Sequence, residues 1–435
     1  MRTSTLWRTL GATEPLFEVE TGWMGTLTDP ELHSVTVDAG TTMAGMTTSS
    51  ASVEVSGHRN APPVRDNRIT IRFTEYGANL LAGLTGKWPD QIRSRFTGRP
   101  VGQTMAHNGP SERTGSPKGK RTTVTAQDWA AFILQLDRGG WAHKDTPSVG
   151  NLYRSLWVNN SPWNEYTLQY WGSAWHWVKL LAEDPSLKKY SVDDVVGRYA
   201  ADLGNLIRQD RNGQPTAWSH DHIVALGQSW DDMYPDPLQT AHVLAPVEWS
   251  VPASYPTEVR YTYHPSIGAT EVREGTASVG SIEGWIYKRD RVDLTHIYPM
   301  GGMSGISAAM RARAHRESGA RYRIQSVTVD VLGLIRRDQG TDRAIVGHLL
   351  AMTHGDPWAL GGDWEQASGI YYVQRISHKI TPGAWTVDLD LVHALEVAGT
   401  TLNLYPTGRT WDTAYYFRGT QWDNAPATDT WETTP

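Results

Sequence analysis

The stretch YYVQRISHKITPGAWTVDLDLVH, residues 371–393, decides the fold class. Ile376, His378 and Ile380 fall on one side of an extended chain, and Trp385, Val387, Leu389 and Leu391 on one side of the next. A period of two is that of a half-buried strand. Between the runs, Pro382 and Gly383 suit a type II turn, with proline at its second position and glycine at its third. The stretch reads as a hairpin that closes a sheet, with Trp385 sealing the core near the turn rather than offering a ledge to sugar. His378 and His393 have no catalytic partner nearby.

The same alternation recurs from Phe17 to about Asp137, in Val35 and Val37, Val53 and Val55, and Ile69, Ile71 and Phe73. It returns after Pro246 in Val259, Tyr261 and Tyr263, then in Val327, Val329 and Val331. Helices are fewer. Thr125 can cap a short one with Trp129, Phe132, Ile133 and Leu136 facing inward. Ser161 and Pro162 can start another carrying Trp171, Trp175 and Val178 on one face. A third begins at Ser191, with Val192, Val195, Val196, Tyr199 and Leu203 as its stripe, and a fourth spans residues 304–319. Within 206–218, LIRQDRNGQPTAW reads as a hairpin, Asn212 and Gly213 supplying its positive dihedrals.

Length and composition agree with this pattern. A chain of 435 residues with 41 glycines and 24 prolines fits several domains rich in short strands and turns. The expectation is a mainly β protein with minor α. It has a first β-barrel-like domain at 1–137, an intervening aromatic, helix-containing domain at 138–245, a second barrel-like domain at 246–396, and an arm at 397–435. In that arm a tryptophan precedes an acid at Trp411, Trp422 and Trp431.

Composition also excludes chemistries. Without cysteine there are no disulfides, thiolate metal sites or cysteine nucleophiles. A net charge of −6 does not suit a protein that coats DNA phosphates. The amino terminus lacks the apolar core of a secretion signal and WAAFIL is too short to span a bilayer, so the chain is expected to fold in a cytoplasm. Tryptophan is abundant, 20 against 5 phenylalanines, which favours assembly or carbohydrate contact.

No motif assigns catalysis. A phosphate loop fails because Lys87 precedes Trp88 and Lys120 precedes Arg121. Ser304 has Gly302 before it but Ile306 after it, which suits a helix cap rather than a nucleophile elbow. His220 and His222 would share a strand face, yet no further ligand stands at fixed spacing, and no metal or cofactor is expected. A glycosidase needs two acids about 5 to 10 Å apart. Asp231, Asp232 and Asp236 sit in a proline-rich stretch that reads as a solvated loop. Arg311, Arg313, Arg316, Arg321 and Arg323 crowd one region and read as a solvated face or as contacts to DNA or neighbouring carboxylates. Trp171 and Trp175 read first as core; their alternative is a shelf for a glycan.

The order of several stretches resembles the baseplate hub family of long-tailed bacteriophages. SVTVDAG (34–40) and ASVEVSG (51–57) match its early strand pair, RFTGRPV (95–101) the next strand, and TVTAQD (123–128) a helix start. VVGRYAADLGNLIRQDRNGQPTAW, HGDPW (354–358) and HKITPGAWTVDLDL follow in the family's order, so the resemblance covers about residues 17 to 395. It implies a homotrimeric ring of two similar barrels per chain in the virion tail tip. Such a ring joins the sixfold tail tube or distal tail ring to the threefold tip and surrounds the DNA ejection path. Distal tail, tape measure and other tail-tip proteins would be its partners, with no membrane span. No peptidoglycan-cleaving signature follows residue 395, so no hydrolytic activity is implied. The rival readings are a receptor- or glycan-binding adhesin and a cell-wall hydrolase.

Overall fold

The alternating stretches form strands, and strands from the beginning of the chain pair with strands from its end. The computed structural model describes residues 10–22, 24–28, 32–56, 68–107, 120–134, 169–171, 177–178, 200–202, 204–219, 222–223, 226–227, 236–244, 247, 249–250, 255–265, 269–278, 287–295, 297–298, 323–337, 340–367 and 369–393.

The early elements are β1 (Phe17–Thr21), β2 (Gly25–Thr28), β3 (Leu32–Ala39), β4 (Gly45–Met46), β5 (Ser49–Ser56) and β6 (Ile69–Phe73). Next come α1 (Glu75–Thr85), α2 (Pro89–Arg93), β7 (Ser94–His107), β8 (Lys120–Gln127) and α3 (Trp129–Leu134). The middle supplies β9 (Gln169–Trp171), β10 (Trp177–Val178), β11 (Leu206–Gln209), β12 (Pro215–Trp218), β13 (Trp249–Ser250), β14 (Tyr255–Tyr263), β15 (Arg273–Ser278), β16 (Tyr287–Leu294) and β17 (Ile297–Tyr298). The last part contains β18 (Arg323–Asp330), α4 (Val331–Arg337), α5 (Gly340–Ala351), β19 (Pro357–Leu360), β20 (Gly369–Thr381) and β21 (Ala384–His393). The fold is mainly β, as the alternation requires.

Twelve strands share one sheet, in the order β13-β18-β21-β20-β3-β5-β8-β7-β6-β1-β2 with β19 beside β20. Its seam is the antiparallel pair β20 and β3, running from Ile376 opposite Ala39 to Ile380 opposite Val35. β7 changes partner along its length: residues up to Gly98 pair with β6, and those from Arg99 pair with β8. A Cβ on Gly98 would lie 2.4 Å from the Phe96 ring and 2.5 Å from the Gln127 carbonyl oxygen, so only glycine permits this bend. Smaller sheets are β4-β11-β12-β9, β15-β14-β16 and β10-β17.

One apolar cluster spans the seam. Val19, Ile71, Val53 and Val124 from the early strands pack in the same core as Val329, Leu349, Leu389 and Trp385. Phe17 and Phe73 lie 4.4 Å apart, and the Trp385 ring stands 5.9 Å from the first and 5.6 Å from the second. The last hairpin thus places its indole among the aromatics of the first strands.

Several local expectations change. The turn closes from Thr381 opposite Ala384, but Gly383 does not have the positive φ of a type II turn. The Thr381 hydroxyl instead accepts from the Ala384 N–H at 3.1 Å and donates to its carbonyl at 3.2 Å, satisfying the turn through a side chain. Val331 begins α4 rather than extending a strand, because Val331, Leu332, Leu334 and Ile335 form an apolar helical face. Residues 169–171 and 177–178 are strands, not a helix: Trp171 lies opposite Trp218 in a parallel pair, and Trp177 opposite Tyr298. Aromatic and β-branched residues favour strands when a sheet edge is present. The rest of that expected helix, and of the helix beginning at Ser191 as far as residue 199, lies outside the described residues, as do residues 304–319 and the arm. α3 is capped by Asp128, whose carboxylate accepts from the Ala131 N–H at 2.9 Å, while Thr125 remains in β8.

Candidate functional site

Helices α2 and α5 both end at one place, and their last carbonyls lack intrahelical donors. Two arginines fill the need. Arg95, at the start of β7, donates from Nη2 to Ile92 O at 2.8 Å and Leu350 O at 2.6 Å. Arg211, in the turn between β11 and β12, donates from Nη1 to Leu350 O at 2.7 Å, and from Nη2 to Gln91 O at 2.9 Å and Ala351 O at 3.0 Å. Cations are also electrostatically favoured at helix C-termini.

The turn that carries Arg211 is built locally. Asp210 accepts from the N–H groups of Asn212 at 2.9 Å and Gln214 at 2.7 Å, and Gly213 takes φ +95°, as the hairpin requires. Beside it, Gln209 donates to Thr97 O at 2.7 Å and accepts from the Trp129 N–H at 2.9 Å, stitching β7 to α3. Arg208 donates to His354 O and lays its guanidinium 3.6 Å from the Trp218 ring centre.

The loop after α5 completes the junction. His354 Nε2 donates to Thr42 O at 2.7 Å. Its ring occupies the space that a side chain at residue 40 would need. Gly40 has φ +90°, and a Cβ there would lie 1.9 Å from His354 Cδ2. Asp128 closes the floor, its other oxygen accepting from the Ser49 N–H at 2.7 Å.

These pieces enclose a cavity of about 20 Å³ lined in part by Arg95, Thr97, Asp128, Arg208, Asp210 and His354. Burial raises the Asp128 carboxyl to about 7, against its hydrogen bonds from Ala131 and Ser49. Burial, then Arg208, pushes His354 down to about 3. His378, on β20, is held well below its ordinary value by burial and by Arg95 and Arg211. Burial and Arg211 also oppose the charge on Arg95, but guanidinium does not deprotonate in proteins, so the strain appears as a demand for counter-charge. Asp128 and Asp210 meet backbone donors and are committed to structure.

Two histidine–carboxylate pairs lie elsewhere. His348 stands 3.1 Å from Asp236, pushed down to about 4 by burial and Lys87 against the pull of that carboxylate. His242 stands 3.4 Å from Asp342, both buried, and burial lowers His242 despite the acid. Among the described residues no three metal-ligating side chains converge.

The residues singled out from sequence fare differently. Trp385 is in the core, while Pro382 and Gly383 form the turn. Trp171 sits at the end of β9; Trp175, Asp231, Asp232, His220, Ser304 and the arginines from 311 to 321 lie outside the described residues. His222 is in a helical turn, not a strand, its ring 5.2 Å from that of Trp218. Arg323 lies opposite Val392 in β18. Among the described residues, Trp129, Trp218, Trp358, Trp364 and Trp385 are buried, and Trp88 is 75% exposed.

Sequence reading did not assign Arg95, Asp128, Arg208, Arg211 or His354 to a site. A signal existed, because each lies in one of the stretches whose order carries the family resemblance. Those stretches, far apart in the chain, meet at this junction.

No protein-family model matches the chain, and no curated protein matches it by sequence. Solved structures do. The tail protein from Neisseria meningitidis MC58 matches with a TM-score of 0.53 at 10% identity, over 87% of this chain and 96% of that one. The 43 kDa tail protein of prophage MuSo2 from Shewanella oneidensis matches with a TM-score of 0.50 at 8% identity, over 87% of this chain and 98% of that one. The chain has the fold of these two tail proteins.

Proposed function

We propose that this chain is a structural, non-enzymatic component of a phage tail tip. It forms a homotrimeric hub ring between the sixfold tail tube or distal tail ring and the threefold central tip, around the path of ejected DNA. The observation that carries this reading is the fold shared with two tail proteins over nearly their whole lengths. In this reading the segments 1–137 and 246–396 are the two barrel-like units, joined across the β3–β20 seam, with 138–245 between them and 397–435 as an arm that packs on another subunit. A net charge of −6 suits a channel that must not retain phosphates. The arginine junction fits a part that must transmit force, since it ties three segments through helix ends rather than offering reactive groups to solvent.

Locating the chain in purified virions tests the proposal. Three copies at the tail axis are expected; a reconstruction that put the chain only in peripheral fibres would overturn it.

A further inference from the structure

We propose that the junction cavity is a binding site for a single monatomic anion, of the halide class, held by Arg95. The first ground is the arginine itself. Arg95 is 3% exposed, and its Nε and Nη1 have no hydrogen-bond partner among the described residues, although Nη2 is fully used. A buried donor left unmade costs roughly 1–3 kcal/mol, and more when the group is charged. Such groups are matched by an occupant where space allows.

The second ground is size. A cavity of about 20 Å³ has room for one water-sized particle, which suits a monatomic ion better than a tetrahedral oxyanion.

The third is the balance of charge. Arg95, Arg208 and Arg211 bring three fixed positive charges to the lining. Asp128 and Asp210 are the carboxyls there, and each already accepts two backbone N–H bonds. Arg95 makes no ion pair among the described residues; a neutral water would satisfy its N–H groups without answering its charge, whereas a halide does both. The competing occupant is one water donating to Nδ1 of His354, which also has no partner among the described residues.

The test uses the full chain with bromide as the probe. Crystals grown in sodium bromide should show an anomalous peak within hydrogen-bonding distance of Arg95 Nη1. Thermal melting at constant ionic strength should rise and saturate with bromide or chloride, but not with gluconate, which is too large to enter. Arg95→Met, which keeps length and removes the charge, should lose the halide response. If that variant does not fold, the anomalous map of the unaltered chain decides. A peak without saturable melting dependence marks an adventitious ion only and overturns the proposal. So does a lone water against His354, or halide dependence with no peak in this cavity.

Discussion

Arg95 and Arg211 donate to the same atom, the carbonyl oxygen of Leu350, at 2.6 and 2.7 Å. One belongs to a strand of the large sheet, the other to a hairpin turn, and the acceptor to the end of a helix. Two like charges converge on one oxygen because three pieces of chain must close there, and the helix ends supply the compensating negative potential.

Removing Arg211 should therefore cost more than a surface arginine does. Arg211→Ala leaves the last carbonyls of α2 and α5 without these donors and is expected to lower stability by about 1–3 kcal/mol. Arg211→Lys should recover only part of this, since a point ammonium cannot reproduce a planar fork. Urea midpoints of the three proteins are the check; equal midpoints would show that the junction contributes nothing.

Gly40→Ala should be far worse than its single methyl suggests. The backbone there has φ +90° and the methyl would overlap the His354 ring. A loss of more than about 2 kcal/mol is expected, from backbone strain together with displacement of a buried ring. The companion change Gly383→Ala, at a glycine with negative φ and open space around it, should be close to neutral. Soluble expression and melting temperature measured side by side would separate them.

Trp385→Ala should cost about 3–5 kcal/mol, because it empties the space beside the packed pair Phe17 and Phe73. Trp385→Phe should cost much less, since the indole N–H is buried without a partner among the described residues and its removal loses no hydrogen bond. If both substitutions left the denaturant midpoint unchanged, the hairpin would not close the core.

Acid should destabilise the fold through its buried histidines. His348 and His354 titrate at about 4 and about 3 when folded, against 6.5 when unfolded. Between those values the unfolded chain binds more protons, so stability falls as pH drops below about 6.5. Asp128 acts in the opposite sense. Raised from 3.8 to about 7, it favours the folded state at low pH and loses that contribution as pH rises through about 7. Urea midpoints from pH 8 to pH 4, roughly the window those shifts define, should decline on the acid side. His348→Gln should flatten the decline, whereas Asp128→Asn, which removes the opposing contribution between pH 3.8 and about 7, should steepen it.

The parts legible in sequence were those with local signatures. A period of two exposed the hairpin of β20 and β21, and an Asn-Gly pair exposed that of β11 and β12. α1, α4 and α5 were not legible because tertiary packing decides them: Val331 continues the alternation of Val327 and Val329 and yet begins a helix. The arginine junction was hidden for a different reason. Arg95 meets Leu350 across 255 residues and Arg211 meets it across 139, so no window of neighbouring residues contains the interaction. What remained visible was the order of the stretches that deliver those side chains.

The pairing of β3 with β20 also has a consequence for synthesis. While the chain is being made, β3 has its neighbour β5 on one side but waits with its other edge unpaired until almost all the described chain has appeared. An unpaired strand edge is a template for wrong partners, and closing so distant a pair is slow. β3 carries Thr36 and Asp38 in alternation with buried Val35 and Val37, which makes the waiting edge less adhesive than a continuous apolar run. Completion of the large sheet is thus a late event in the life of the nascent chain, timed by the arrival of its penultimate strand.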